Sequence, residues 1–176
     1  MKTIDLDLVS KAKQGDADSF TALYEQVAPY LYRTALYTLG NTYDAEDVVS
    51  ETFMEAFHGI GKLREEKSFG PWIFKILSAR CKRKIKDYIR GRNEFDIDAM
   101  VDLDDGTDVG EGITQRADLM HALEALSLTE RQIVLLSVVD GYTTKEIASI
   151  LSYPHGTVSS KLYRALKKMR SMLEVE

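Results

Sequence analysis

An all-α fold in two small helical domains is predicted for this chain of 176 residues by three observations. Apolar residues recur at three- and four-residue spacing, period-two alternation of Val, Ile and Thr is nearly absent, and the stretch Gly91 to Thr114 is rich in glycine and aspartate with few large apolar side chains. Such a stretch buries too little surface to offset the entropy of ordering it, so residues 93–114 are read as an acidic linker between domains at 1–92 and 115–176. In the first domain helices are predicted near 5–14, 17–39, 43–58 and 69–90. Gly15, the Gly40-Asn41-Thr42 break and the Gly59/Gly61 loop punctuate them, and Pro71 fits the first turn of the last, after Ser68. In the second, helices are predicted near 115–126, 129–139, 144–151 and 155–173.

At 44% hydrophobic content the chain can bury one medium core or two small ones. The longest apolar run, Ile133 to Val139, is too short to cross a bilayer. Asp5 and Asp7 stand where a secretory signal needs apolar residues, which predicts a cytoplasmic protein. The single cysteine, Cys81, has no internal partner and no Cys or His companions at ligand spacing, so neither a disulfide nor a metal site is expected. The net charge of −5 conceals a segregation: eleven Lys or Arg against three acids from Lys62 to Arg92, then nine acids against Arg116 alone from Glu94 to Asp118.

The run from Thr144 to Arg164 has helix-turn-helix spacing. Ile147, Ala148 and Leu151 make one apolar face, and Val158, Leu162, Ala165, Leu166 and Met169 make the matching stripe. Opposite that stripe lie Gly156, Thr157, Ser160, Arg164 and Lys167, with Ser159, Lys161, Tyr163 and Lys168 at the margins. A small, hydroxylic start followed by basic residues suits a helix entering the major groove. Lys145 and Arg131 are candidates for flanking phosphates. The competing reading is an amphipathic helix with a solvated cationic face, and the turn chemistry argues against it.

Between residues 69 and 90, Trp72, Ile73, Ile76 and Leu77 face one way. Lys75, Ala79, Lys82, Lys86 and Arg90 fall on another side with Arg83 nearby, a cationic stripe suited to a phosphate backbone. A solvated lysine face is the plainer alternative. The preceding loop, with Lys62, Arg64 and Phe69, has the composition to receive an unstacked base, whereas Trp72 is expected in the core. The helix at 43–58 begins with Asp44, Glu46 and Asp47, as the helix dipole favours, and continues with Glu51 and Glu55. Glu55-x-x-His58 has the spacing used in di-metal helical bundles, but no second such pair exists: neither His121 nor His155 has Glu three residues earlier. No phosphate loop, nucleophile elbow or zinc signature is present, so an enzyme is not expected, nor a cofactor or small-molecule substrate.

Two runs carry a family resemblance. Asp44-Ala-Glu-Asp-Val-Val-Ser-Glu-Thr-Phe-Met-Glu-Ala-Phe, followed by Trp72-Ile-Phe-Lys-Ile-Leu, resembles region two of the bacterial extracytoplasmic-function (ECF) sigma factors. Leu128-Thr-Glu-Arg-Gln through Gly141-Tyr-Thr-Thr-Lys-Glu-Ile-Ala to Gly156-Thr-Val-Ser-Ser-Lys-Leu-Tyr-Arg-Ala resembles region four. The resemblance covers nearly the whole chain outside the linker. It implies a non-enzymatic subunit that directs RNA polymerase to promoters. Asp47, Ser50, Glu51 and Met54 would dock on core polymerase. Lys62, Arg64, Phe69, Lys75, Lys82, Arg83 and Lys86 would bind and open the minus-ten element. Arg131, Lys145, Thr157, Ser159, Ser160, Lys161, Tyr163 and Arg164 would hold and read the minus-thirty-five element. An anti-sigma partner, often membrane-anchored in this group, is implied too, and the acidic linker would thread the polymerase's RNA path. Ser159 stands where relatives commonly carry a basic residue and Ala79 where they carry asparagine, so the contacts with both elements differ in detail.

The runner-up is a helix-turn-helix regulator that acts without polymerase, since Thr129-Glu-Arg-Gln, Lys145-Glu-Ile-Ala and Thr157-Val also resemble the LuxR-type DNA-binding domain. A helical metalloenzyme stands third.

Overall fold

The computed structural model describes residues 4–92 and 112–173, with side chains given for 4–90 and 118–173. All regular elements among them are helical. The N-terminal unit contains α1 (Leu6–Lys13), α2 (Ala17–Leu39), α3 (Thr42–Gly59) and α4 (Phe69–Arg92). The C-terminal unit contains α5 (Gly112–Glu124), α6 (Leu128–Val134), α7 (Thr144–Leu151) and α8 (His155–Leu173). Local chemistry sets the boundaries. Asp5, Asp16 and Asn41 cap α1, α2 and α3 by accepting from backbone N–H groups two or three residues on. Gly40 closes α2 at φ 73°, a left-handed conformation that lets the chain turn straight into the Asn41 cap. Ser127 and Thr143 each form a reciprocal capping box, with Glu130 and Glu146.

The segment expected as one helix over 129–139 is α-helical only to Val134, and Leu135–Val139 forms a wider π-helical turn. The fifth helix starts at Gly112, so residues 112–114, expected in the linker, belong to it. The rest of that linker expectation, 93–111, lies outside the described residues.

In the N-terminal unit α4 lies across α2 and α3. It buries Phe69, Ile73, Phe74, Leu77 and Cys81 against Leu23, Val27 and Leu31 of α2 and Val48, Phe53 and Ala56 of α3. In the C-terminal unit Leu123, Leu126, Val134, Leu135, Ala165 and Met169 form a smaller cluster. Two domains were expected, with one medium core or two small ones; the larger cluster runs on from the first unit through Ile133, Leu136, Ile147, Ile150, Leu151 and Val158, because α7 packs directly on α4. The two units are therefore closed upon one another.

Candidate nucleic-acid interface

The face of α4 and the loop before it form the first basic surface. Lys62 and Arg64 are exposed on the loop, and the loop is tied to α1 by Lys13, whose Nζ donates to Glu66 Oε1 at 2.6 Å. Gly59 gives close packing there: a Cβ would sit 3.1 Å from the Trp72 ring, which packs against the α3 terminus and would have to shift by a few tenths of an ångström. Phe69 must be corrected. It is 0% exposed, within the α2–α3–α4 core, and has no free ring face to offer a base. Aromatic chemistry in a loop was read as accessible, but this residue is the first of α4 and its side chain points inward. Lys75, Arg83 and Lys86 are exposed along α4, whereas Lys82 is half-buried with its ammonium 5.2 Å from the centre of the Tyr153 ring. Lys62, Arg64, Trp72 and Lys75 line one side of a cleft of about 450 Å³, and Glu146, Ser149 and Ile150 of α7 line the other.

The acidic stripe on α3 is laddered to α4. Arg80 donates to Glu51 Oε2 from Nη1 at 2.7 Å, and to Glu55 Oε2 from Nη2 at 2.7 Å and Nε at 3.0 Å. One turn further, Lys84 donates to Asp47 at 2.6 Å and lies 3.3 Å from Asp44, and the Tyr88 hydroxyl donates to Asp44 at 2.6 Å. The bond to Glu55 raises the Arg80 guanidinium pKa above its ordinary value, and the bond to Asp47 does the same for Lys84. Glu55 thus already holds a cation, Arg80, in place of the metal that Glu55-x-x-His58 brought to mind. Asp47, Ser50 and Met54 face outward, and Glu51 is half-buried beside Arg80.

The C-terminal unit presents the second basic surface. Ser152 adopts the left-handed conformation at φ 58° to end α7, and Tyr153 N–H donates to Ala148 O at 3.0 Å, turning the chain tightly into α8. On α8, Ser160, Tyr163 and Arg164 face solvent and Thr157, Ser159 and Lys161 are half-buried, with Lys145 exposed on α7. Ser127 holds the Glu130 carboxyl below the usual range by hydrogen bonding, assisted by the nearby charges of Lys161 and Arg164. Arg131 is turned inward instead of toward a phosphate. Its Nε donates to Leu123 O and its Nη1 to Thr38 O of α2, each at 2.9 Å, and burial lowers its pKa. Beside α8 is an apolar hollow of about 900 Å³, lined by Leu119, Leu123, Val138, Leu166 and Leu173 with Tyr37 of α2. Tyr163, 69% exposed, and Arg170 stand on its rim.

Reading the sequence missed the pairing of α3 with α4 and the polar seam between units. The first had a signal: acids at 44, 47, 51 and 55 and bases at 80 and 84 share helical spacing on two successive, hence antiparallel, helices. The seam residues Arg33, Thr34, Gln132 and Asp140 had none, since nothing local marks a long-range polar contact.

Comparison with known proteins places both surfaces in one family. The sigma-70 region 2 family model matches residues 23–94 and the sigma-70 region 4 model residues 116–169. The chain is 28% identical to the ECF RNA polymerase sigma factor BldN of Streptomyces coelicolor, over 96% of this chain and 65% of that protein. It is 25% identical to the ECF sigma factor SigW of Bacillus subtilis, over 94% of each. The fold resembles that of CnrH, solved in complex with the cytosolic domain of CnrY (TM-score 0.74, 21% identity, 99% of both chains covered). It also resembles the sigma factor RpoE, solved with the anti-sigma factor NepR from Bartonella quintana (TM-score 0.74, 21% identity, 91% of this chain and 99% of that one).

Proposed function

Because the chain belongs to the sigma-70 family, in its extracytoplasmic-function group, we propose a division of labour among the surfaces described above. The protein is an RNA polymerase sigma factor that directs promoter recognition, and its family is not an enzyme family. The observation that carries this reading is the presence of regions 2 and 4 in order on one chain, which a regulator acting without polymerase leaves unexplained over residues 23–94.

The outward residues of α3, Asp47, Ser50 and Met54, together with half-buried Glu51 beside Arg80, form the docking face for core polymerase. Lys62, Arg64, Lys75, Arg83 and Lys86 take the minus-ten strand, the loop receiving a base whose unstacking requires only a few kcal/mol. Ser160, Tyr163 and Arg164 read the minus-thirty-five element from the major groove, with Lys145 and Lys161 on phosphates. No described helix is long and apolar enough to cross a membrane, and the site of action is the cytoplasm, where polymerase and promoter meet. An anti-sigma factor is the second partner. The hollow beside α8, apolar within and carrying Lys167 and Arg170 at its edge, suits an amphipathic helix with an acidic flank.

The closed arrangement does not serve both elements at once. They lie about 25 base pairs apart by their names, roughly 85 Å at about 3.4 Å per base pair, whereas a compact chain of this length has a radius of gyration near ~16 Å. Promoter engagement therefore requires the units to part.

The test is co-elution of the purified chain with core polymerase, followed by transcription on genomic fragments. A stoichiometric complex with new start sites supports the proposal; duplex-DNA binding without any complex rejects it in favour of a polymerase-independent regulator. Within that assay Arg164→Ala is expected to cost about 1–3 kcal/mol of affinity for the cognate promoter and to relax selectivity at one position. Unchanged transcription from that promoter removes Arg164 from the reading set.

A further inference from the structure

The loop between α3 and α4 carries two of the exposed cations assigned to the minus-ten strand, Lys62 and Arg64. Two 3-10 turns bound it, Ile60–Lys62 and Glu66–Ser68. They are closed by Leu63 N–H to Ile60 O and Ser68 N–H to Glu65 O, each at 3.0 Å. Arg64 lies between the turns and belongs to neither. What meets it there is α1, a helix that contributes none of the minus-ten residues. Lys13, in the last turn of α1, places its ammonium 2.6 Å from Glu66 Oε1 and 3.5 Å from the Arg64 carbonyl oxygen. One cation thus spans the gap between the two turns. The body of α1 packs on both of them, and a Cβ on Gly61 would meet the Lys13 carbonyl oxygen at 3.6 Å.

We propose that Lys13 is a positioning residue for minus-ten recognition: by holding the Arg64 carbonyl and the Glu66 carboxylate together it fixes the path of the loop, and with it the direction in which Lys62 and Arg64 face a base. The inference deepens the function proposed above and rests on the assignment of this loop to the minus-ten strand. An ordinary surface ion pair contributes little, because water solvates both partners and two long side chains lose freedom in meeting. This pair is placed differently, with the Lys13 side chain only 19% exposed and that of Glu66 36%. An ammonium has three donors and no fixed plane, so it serves a carboxylate and a carbonyl from different directions at once. A loop set before the base arrives loses less freedom on binding than one ordered by the base itself, and its contacts depend more sharply on where the base places its polar atoms. Bracing of this kind acts on selectivity at the element the loop reads and leaves the other element alone.

The experiment uses the full chain and reads two quantities. One is hydrogen exchange of the peptide spanning residues 60–68 in the free protein. The other is base selectivity of the complex with core polymerase, on a promoter recovered by the transcription test and randomised across both elements, read by sequencing the bound fraction. Lys13→Met keeps the stem and removes the ammonium. It is expected to speed exchange in that peptide about 2- to 5-fold and to lower discrimination at one or two minus-ten positions by the same factor, the size expected of a partly exposed ion pair. Glu66→Gln is expected to act in the same direction, and the double variant to add little to Lys13→Met alone, since both remove one contact. Selectivity at the minus-thirty-five element is expected to stay as it is. Lys11→Met is the control: it removes the same charge from the same helix, but Lys11 pairs with Asp7 within α1, and neither quantity is expected to move. Discrimination intact in Lys13→Met, where Lys62→Ala and Arg64→Ala lower it, overturns the brace. So does an equal loss at both elements, or an equal loss in Lys11→Met. Discrimination unchanged in every variant, Lys62→Ala and Arg64→Ala included, removes the loop from the minus-ten site and takes the brace with it.

Discussion

Asp47→Lys combined with Glu51→Lys is expected to lower affinity for core polymerase by about 2–3 kcal/mol, roughly 30- to 150-fold, as like charge meets a complementary surface. The structure adds a complication and its own control. Both carboxylates accept from α4, Asp47 from Lys84 and Glu51 from Arg80, so the double reversal also sets four cations against one another within the chain. Adding Arg80→Glu and Lys84→Glu restores opposite-sign pairs at 47/84 and 51/80 without restoring the acidic outer face, while the two new carboxylates face Glu55 and Asp44. Thermal stability is expected to recover in part in the quadruple variant, through the 47/84 and 51/80 pairs, while polymerase binding, followed by titration with labelled core enzyme, stays low. If binding recovers along with stability, the loss was a folding defect and the outer face of α3 does not dock.

Phe74→Ala is expected to remove about 3–5 kcal/mol of stability, a large share of the roughly 5–15 kcal/mol available to a small protein. Phe74 has no exposed surface, and it packs edge-on against the Tyr142 ring of the other unit at 5.4 Å between centroids. The deletion therefore opens a cavity where the two units meet, between the close-packed helices of the first unit and the Tyr142 ring. Urea denaturation followed by circular dichroism gives the measurement. A loss below about 1.5 kcal/mol would mean that the site collapses freely or that Phe74 is not shared between the units.

Helix positions were legible in the sequence because they depend on local signals: the Gly40-Asn41 break, the apolar spacing along α4, and the turn before α8. The two basic surfaces were legible for the same reason, since each lies along one helix and its adjoining loop. What escaped the sequence is long-range. Phe69 is aromatic and flanked by a cationic loop, a combination that fits a base platform as well as a core residue, and only the packing of α4 on α2 and α3 decides between them. Arg131 sits in a motif that in isolation offers a cation to DNA, yet two carbonyl oxygens, one of them 93 positions away in the chain, turn it inward. Cys81 packs in the core, where burial pushes its thiol up to about 12.

The wide turn at Leu135–Val139 sets the angular phase of everything that follows it. Asp140 N–H donates to Leu135 O, five residues back, so the turn holds one residue more than an ordinary α-helical turn closed by a four-residue bond. Contracting it by that residue would rotate the downstream chain by about 100°, carrying the carboxylate off Thr34 while leaving composition and hydrophobic content almost unaltered. Whether the two halves of this molecule fit is thus written partly as a register offset. Relatives that gain or lose a single residue between α6 and α7 would differ in closure more than relatives separated by many substitutions elsewhere.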